Sequence, residues 1–586
     1  MFKGYTHTFP QIKLRDYSAQ ISLLLPILAI FLLTIMLVSP QGEFALNDDW
    51  IHAKAVQRLL EEGYYRGHPY VAATLVAQAY WGALFCKLFG FSFTTLRIST
   101  LVLAVIGAWA VAWSGQAMGL RRSLAILCGI LYAINPILLS LSYSFMTDIP
   151  FLTFSALSGL CFLHFFRYNK TRFITLGSSF AVVGFFIRQF AIAVPAAFAI
   201  TLIIIWWRSR YRFNITALVA LIIPWLVGAL LYFWFVSIKE SGTSILLAPR
   251  HPFIVIIEAI RHYPIALCYM GFFALPLGLG IIWQIIKKHA GWNHQLLNML
   301  LGFCIVSFLS FGLPTLLYQL KPVEWLKQFP YRLPLLTFDY LYDLAVGNPH
   351  LQDRYPLPPM QIGEVWWIIT FASVVVAGLF WISSAQLFRS IWSLHAETTH
   401  FQAETKQRLF LVIWFAVALT IIFSPWRPSV DDRLLMPGLE PFILMLAYEL
   451  NRFRHRVALK IVGTGTILLY TFSVLGLQNH FAWNLAVSEA QNKLINTYQI
   501  SPEMIRGTDT FNGWYNSDKY MQIYNTKDFW QAGLTGLGPW TFDNQFIITS
   551  LDTLEGYRPF EQFNYFTWLG MKHQTITVFK RDQNSN

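Results

Sequence analysis

The sequence predicts a polytopic α-helical membrane protein with about thirteen transmembrane helices and a small C-terminal α/β soluble domain. Of its 586 residues, 55% are hydrophobic and 12% are charged, whereas soluble proteins carry about 25% charged residues. The hydrophobic residues form runs of about 20, the length that an α-helix needs to cross a bilayer. Short basic clusters follow every second run, so the formal charge of +13 indicates membrane topology rather than binding to nucleic acid.

Thirteen hydrophobic runs are candidate spans. The run 71–85 is hydrophobic enough to be another, but counting it would reverse the alternation of every later basic cluster. We therefore interpret it as a helix at the membrane interface or packed against the bundle. Arg188 separates two short runs and is predicted to lie near the outer tip of a hairpin. The thirteen runs are 21–39, 98–118, 123–143, 149–166, 173–187, 189–207, 213–236, 263–286, 297–319, 364–386, 409–424, 434–450 and 458–476.

The N-terminal charges set the expected orientation. Lys3, Lys13 and Arg15 precede the first run, which lacks a small-residue cleavage site. We therefore expect a retained first helix with its N-terminus in the cytoplasm. An odd number of spans then places the C-terminal domain outside the cytoplasm. We expect an integral protein of the plasma (inner) membrane, and the outer side is the periplasm in a Gram-negative bacterium.

Two domains are predicted, a transmembrane region over 1–476 and an extracytoplasmic C-terminal domain over 477–586. Strand-like runs at 546–550 and 575–579 indicate that the second domain contains a sheet. The five cysteines all lie in or beside hydrophobic runs, so we infer no disulfide framework. The long outer loops of the first domain are 40–97, 237–262 and 320–363.

Three carboxylates are predicted on the outer side of the bundle. Asp48 and Asp49 follow the first span, and Asp148 lies between the third and fourth spans. Ionised groups beside a low-dielectric region are unfavourable unless they are paired or functional. The alternative is that these residues only cap helices, because Asp is a good N-cap and Pro150 suits the first turn of the next helix.

Three basic sites share this predicted side. Arg66 and His68 lie in the first outer loop, Arg188 interrupts a long uncharged stretch, and Arg433 precedes a late span. A guanidinium group matches the geometry of phosphate oxygens, although an arginine can equally reach the lipid headgroups. Together, carboxylates and guanidinium groups suit an anionic lipid donor and a hydroxyl acceptor. A carboxylate can deprotonate the hydroxyl, and an arginine can stabilise a phosphate leaving group.

Several short motifs resemble those of the GT-C glycosyltransferases, in the branch of the protein O-mannosyltransferases and the lipid A aminoarabinose transferase. The segment 48–53, Asp-Asp-Trp-Ile-His-Ala, is similar to the D-E-x-x-Y-A pattern of the first outer loop, and Asp148 matches a second acidic position. His68-Pro69-Tyr70 stands where many members have K-P-P, which passes the basic role to Arg66. The segment 187–190 resembles a T-K-G-P-like segment, and 433–437 resembles a late R-Y-x-L-P pattern.

The resemblance implies an inverting, metal-independent transfer of a sugar from a polyprenyl-phosphate carrier to a hydroxyl acceptor during glycan or lipopolysaccharide biosynthesis. It implies that Asp48 is the base, and that Asp49 and Asp148 orient the acceptor or the base. The implied partners are the donor, a glycolipid, glycan or protein acceptor, and the lipid bilayer, without nucleic acid. No cofactor is implied, but a divalent cation between paired carboxylates stays open. The residues implied to hold or neutralise the donor phosphate are Arg66, His68, Arg188 and Arg433.

Two other functions fit a chain of this composition. A transporter or flippase for lipid-linked sugars would have inverted repeats and charges near the middle of its spans. The sequence shows no repeat, and most of its charges lie at the ends of spans. An assembly factor that binds a partner through its tail would not need the carboxylates of the first outer loop.

Overall fold

The protein is described by a computed structural model over most of its length. Helices dominate the described residues, and a small sheet lies near the C-terminus. The predicted outer loops 237–262 and 320–363 fall largely outside the described residues. Those residues are 14–67, 71, 73–209, 215–238, 251–287, 294–313, 317, 363–393, 401–420, 432–452, 456–523 and 540–582.

Each of the thirteen hydrophobic runs coincides, wholly or in part, with a helix or with two consecutive helices. Their buried side chains form one large hydrophobic cluster. The helices of the membrane region are α1 (Leu14–Leu37), α4 (Phe93–Ala117), α5 (Arg122–Ala133), α6 (Pro136–Ser142), α7 (Asp148–Tyr168), α8 (Arg172–Phe185), α9 (Ala193–Ser209), α10 (Ile215–Ile238), α11 (Pro252–Phe273), α12 (Leu275–Ile286), α13 (His294–Ser307), α14 (Gly363–Ser393), α15 (Ala403–Leu419), α16 (Leu439–Asn451) and α17 (Arg456–Asn492).

Seven helices of the described residues are long and apolar enough to cross a membrane, or nine if two bent pairs each count as one span. The protein is therefore an integral membrane protein, but thirteen spans are not confirmed. The bent pairs are α5–α6, at 65°, and α11–α12, at 79°. Pro136 and Pro276 lie in the first turn of the second helix of each pair. Proline is favourable there, but it lacks the N–H group that would continue the preceding helix.

Two shorter helices lie between the first two long spans. Helix α2 (Asp49–Glu62) ends at Gly63, whose left-handed backbone suits glycine. Helix α3 (Val76–Phe89) begins against the turn that follows α8. The N–H groups of Leu75 and Ala77 donate to the carbonyls of Ile187 and Phe186 at 3.2 and 3.1 Å. Helix α3 thus packs against the bundle, which is one of the two arrangements expected for 71–85.

The C-terminal region contains the predicted sheet. Strand β2 (Phe546–Thr549) lies between β1 (Ile505–Arg506) and β4 (Lys572–Arg581), and β3 (Tyr557–Thr567) pairs with the other edge of β4. Helix α18 (Asp509–Ile523) follows β1. Helix α17 is continuous through residues 476 and 477, so the predicted domain boundary lies within a helix. All five cysteines are free.

Candidate active site

The two adjacent carboxylates at the start of α2 have different surroundings. Asp48 precedes the first turn and its side chain is 57% exposed, whereas Asp49 is 1% exposed. Successive residues of a helix point about 100° apart, so one of two neighbours can face solvent while the other faces the protein. Asp48 makes no capping hydrogen bond with its side chain. Its carboxylate is therefore exposed at the helix start without serving as a cap.

Asp49 connects two segments that are remote in the sequence. Its Oδ1 accepts a hydrogen bond from the N–H of Leu46 at 2.6 Å, and its Oδ2 accepts one from the N–H of Phe145 at 3.2 Å. Burial raises the pKa of Asp49 to about 7, against the opposing effects of the Arg97 charge and the two N–H groups. A buried carboxylate that accepts two backbone N–H groups positions the loops around the site.

Asp148 and Arg188 form a buried ion pair. Nη1 of Arg188 donates to Oδ1 of Asp148, and the two side chains are 11% and 2% exposed. Asp148 is the first residue of α7. The N-cap residue is Thr147, and its side chain makes no capping hydrogen bond. Arg188 has an extended backbone in the turn between α8 and a short 3-10 helix that begins at Gln189. The arginine therefore neutralises a carboxylate within the protein instead of extending to the lipid headgroups.

Arg433 connects this ion pair with the start of α2. It lies in the 3-10 helix Asp432–Gly438, directly before α16. Its Nη2 is 3.9 Å from Oδ2 of Asp48, and its side chain is 12% exposed. Its charge also attracts the carboxylate of Asp148. Four segments that are remote in the sequence thus bring Asp48, Asp148, Arg188 and Arg433 into one cluster.

His52 is a further member of the cluster that the sequence analysis did not select. It lies one turn after Asp48 on α2, and its Nδ1 is 3.2 Å from the carbonyl oxygen of Phe145. Burial lowers the pKa of His52 to about 4, although the Asp48 charge acts in the opposite direction. The ring is therefore neutral at pH 7. Because Nδ1 must donate to the carbonyl, Nε2 carries the lone pair and can accept a hydrogen bond. The i, i+4 spacing was the signal for this residue.

Arg97 is a second residue that sequence reasoning missed. It is fully buried in α4. Its guanidinium group donates to the carbonyls of Pro40, Gly42 and Phe44. These contacts fix the segment that leads from α1 to Asp49. A single charge at the start of a hydrophobic run was the signal, since such a charge needs several acceptors.

Two predicted donor-binding residues are not part of the observed cluster. Arg66 lies beyond the far end of α2, where its Nη1 is 3.6 Å from Oε1 of Glu62. A helix of this length is about 20 Å long, so the ion pair holds Arg66 well away from Asp48. His68 falls outside the described residues. The phosphate-binding roles of both residues stay predictions.

The C-terminal helix α18 packs directly on α2. Nζ of Lys54 lies 2.7 Å from Oδ2 of Asp518 and 2.8 Å from Oγ of Ser517. Gly513 faces Trp50 so closely that a Cβ atom at residue 513 would lie 2.5 Å from the indole ring. These contacts join the tail to the helix that begins with the candidate carboxylates.

One protein-family model matches part of the chain. The family is described as Dolichyl-phosphate-mannose-protein mannosyltransferase, and the match covers residues 71–231. The matched segment includes Asp148 and Arg188, while Asp48 and Arg433 lie outside it. No curated protein matches the chain in sequence. The family match gives no support to the transporter hypothesis.

Three solved structures are similar to the chain at low identity and low TM-score. S. cerevisiae protein O-mannosyltransferase Pmt1-Pmt2, bound to the sugar donor, has 14% identity and a TM-score of 0.32 over 41% of this chain and 36% of that chain. ArnT from Cupriavidus metallidurans, bound to undecaprenyl phosphate, has 10% identity and a TM-score of 0.36 over 97% and 98%. Arabinosyltransferase EmbB from Mycobacterium smegmatis has 13% identity and a TM-score of 0.33 over 74% and 43%.

The chain therefore spans about a third of the yeast protein and nearly the whole length of ArnT. The segment 71–231 carries the family match, and the motifs described above extend to either side of it. The predicted resemblance to the protein O-mannosyltransferases is thus confirmed over residues 71–231.

Proposed function

We propose that the protein transfers a sugar from a polyprenyl-phosphate donor to a hydroxyl group of a glycolipid, glycan or protein acceptor on the extracytoplasmic face of the membrane. The observation that carries this proposal is an exposed carboxylate, Asp48, facing Arg433 beside the buried Asp148–Arg188 ion pair. A base and a cationic phosphate site thus adjoin each other. The family match over residues 71–231 supports the same donor class, because its description names a dolichyl-phosphate sugar.

Asp48 acts as the general base in this proposal. The acceptor oxygen attacks the anomeric carbon of the donor, and the bond from that carbon to the phosphate oxygen breaks. Asp48 takes the proton of the acceptor hydroxyl, and the configuration of the anomeric carbon inverts. A carboxylate that is 57% exposed has the access that this role requires. Asp49 is buried and already accepts two backbone N–H groups, so we assign it to positioning Asp48.

Arg433 stabilises the leaving phosphate. The donor is a phosphodiester with one negative charge, and the departing polyprenyl phosphate has an additional one. The 3.9 Å separation between Arg433 and Asp48 is longer than a direct hydrogen bond. A phosphate can therefore approach the guanidinium group without first breaking a direct hydrogen bond to Asp48. Arginine is suited to this task because its planar donors match phosphate oxygens.

Asp148 and Arg188 support Arg433. The two charges of the buried pair compensate each other, so the net positive charge available to the phosphate comes mainly from Arg433. We assign Asp148 the role of holding the guanidinium group of Arg188 beside the donor. The family resemblance had instead implied that Asp148 orients the acceptor or the base. Because Arg433 supplies countercharge for the phosphate and Arg188 offers it further N–H donors, we propose that the transfer needs no divalent cation.

The test is transfer from radiolabelled polyprenyl-phosphate sugars in membranes that contain the parent protein, Asp48→Asn or Asp552→Asn. Asp552 is an exposed carboxylate of the C-terminal region and serves as the matched control. We expect label in an acceptor with the parent and with Asp552→Asn, and a rate lower by about 10²-fold or more with Asp48→Asn. Transfer by Asp48→Asn at the parental rate, with equal amounts of inserted protein, would refute the proposed base.

A further inference from the structure

A polar cleft lies outside the cluster of carboxylates and arginines. It is formed by the segment before α2, the start of α4, the last turns of α17, and α18. The space inside it is about 480 Å³, of which part is open solvent, so a ligand would lie in the mouth of the cleft rather than be enclosed by it.

One wall of the cleft is a polar stripe on α17. Asn484, Ser488, Gln491 and Asn492 all line it, at spacings of four, three and one residues. The first three of these share one face of a helix because 3.6 residues complete a turn. Amide groups offer both donors and acceptors, which is the combination that the hydroxyl groups of a sugar require.

The opposite wall presents aromatic rings from α18. Tyr515 lines the cleft and is 47% exposed, and its ring centroid is 4.9 Å from that of Phe511. Trp514 is held by an edge contact with Phe93 at 5.1 Å. These packed rings form a firm apolar surface opposite the amides. A pyranose has the complementary character, since its C–H face is apolar and its rim of hydroxyl groups is polar.

The charge of the cleft favours a neutral ligand. Among the described lining residues, Glu43 is the one with a charged side chain. Its Oε2 accepts the N–H of Phe93 at 2.9 Å and its Oε1 accepts the hydroxyl of Thr94 at 2.9 Å, so it serves the start of α4. An anionic ligand would meet this carboxylate, and the described lining residues include no lysine or arginine. The cleft thus differs in character from the arginine-containing cluster.

We propose that this cleft binds a neutral saccharide, the glycan part of the acceptor. Its identification with the acceptor rests on the proposed transferase function, while saccharide binding itself does not. Helix α18 joins the two sites, because Gly513 packs on Trp50 of α2 and the next residue, Trp514, lines the cleft. A glycan held here would therefore lie against the same helix that fixes α2.

Saccharide binding can be measured on the full chain in a detergent without a sugar headgroup. Saturation-transfer difference NMR would be recorded with maltohexaose, laminarihexaose, mannohexaose and chitohexaose, and with hexagalacturonate as an anionic comparison. The cleft variants are Tyr515→Ala and Asn492→Ala. The matched controls are Tyr498→Ala, another partly exposed tyrosine of the region, and Asn496→Ala, one turn beyond Asn492; neither residue lines the cleft.

We expect at least one neutral hexasaccharide to bind the parent more strongly than hexagalacturonate does. Each cleft variant should weaken this binding roughly three- to tenfold, from the loss of one ring or amide contact, and the controls should match the parent. Binding of none of the four, or equal binding by the cleft variants, would overturn the inference. Asp48→Asn should bind saccharide normally. If the parent transfers sugar but binds no saccharide, only this inference is refuted. If it binds saccharide but transfers no sugar, only the proposed function is refuted.

Discussion

The buried ion pair between Asp148 and Arg188 makes a quantitative prediction about stability. Replacing Arg188 by methionine would remove the hydrogen-bond donor that faces the carboxylate of Asp148, which is 2% exposed. Removing one member of a buried ion pair typically destabilises a protein by about 3–5 kcal/mol, because the remaining charge is buried and uncompensated. Asp148→Asn would likewise remove the carboxylate that faces the guanidinium group of Arg188, which is 11% exposed. We therefore expect each single variant to lower the free energy of unfolding by roughly this amount.

The double variant separates pairing from other causes. With both charges removed, no uncompensated charge remains at this position, and the double variant should be more stable than either single variant. The expected coupling energy is about 2–4 kcal/mol, derived from the same penalty. Arg433 limits the recovery of stability, because its charge also attracts Asp148 and loses that attraction in the double variant.

The assay is unfolding by sodium dodecyl sulfate in mixed micelles, followed by near-UV circular dichroism, for the parent, the two single variants and the double variant. Arg452→Met is a suitable control because Arg452 is 57% exposed in its ion pair with Glu449, where a change within about 0.5 kcal/mol is expected. Strictly additive effects of the two single variants would refute the pairing and favour an arginine directed at the lipid headgroups. The double variant should remain inactive, since the proposed donor site lacks Arg188.

Four further results are expected. Asp48→Asn should change the free energy of unfolding by less than about 0.5 kcal/mol, because Asp48 is exposed and 3.9 Å from Arg433; a larger loss would make it a structural residue. Arg433→Gln should lower kcat/KM for the donor about tenfold or more, and an unchanged kcat/KM would contradict the assignment. Treatment with EDTA should leave transfer unchanged, whereas recovery on adding a divalent cation would establish a metal site. Burial lowers the pKa of His52 from 6.5 to about 4 in the folded protein. Between pH 4 and pH 6.5 the unfolded chain therefore binds more protons at His52 than the folded protein does. Stability is therefore lost as the pH falls through this window, by about 3 kcal/mol. His52→Gln should remove that loss. Parallel curves of unfolding free energy against pH for the parent and His52→Gln would contradict the prediction. The raised pKa of Asp49 acts in the opposite direction, but Asp49 is present in both proteins.

Hydrophobicity located the membrane helices but not their bends. Each predicted run coincides with helix, yet 123–143 and 263–286 are each divided into two helices at a sharp angle. A window average is insensitive to the order of residues, whereas Pro136 affects the backbone at one position. Length was the other weakness, because α8 has only 14 residues and falls short of a span. The alternation of basic clusters between loops predicts the orientation of each helix, but it does not measure how deeply each helix enters the bilayer.

The candidate site was predictable in part, whereas its pairings were not. Of the residues that the motifs selected, the structure brings Asp48, Asp148, Arg188 and Arg433 together. Arg66 lies apart from them, and His68 falls outside the described residues. Sequence alone offered two local interpretations, a helix cap for the aspartate and a headgroup contact for Arg188. Both were plausible because they require only near neighbours in the chain. The observed ion pair joins residues 40 positions apart and depends on how the turn after α8 packs against α7.

The tail is where local reasoning was least informative, and there the structure has the largest consequence. Helix α18 begins 447 residues after the end of α2 (509 − 62), and no motif relates them. They nevertheless meet through the Lys54–Asp518 ion pair and the close packing of Trp50 on Gly513. Any side chain larger than hydrogen at residue 513 would displace Trp50 and, with it, the start of the helix that carries Asp48. The C-terminal region therefore belongs to the architecture of the candidate site, since the direction of Asp48 depends on a helix that the tail holds in place.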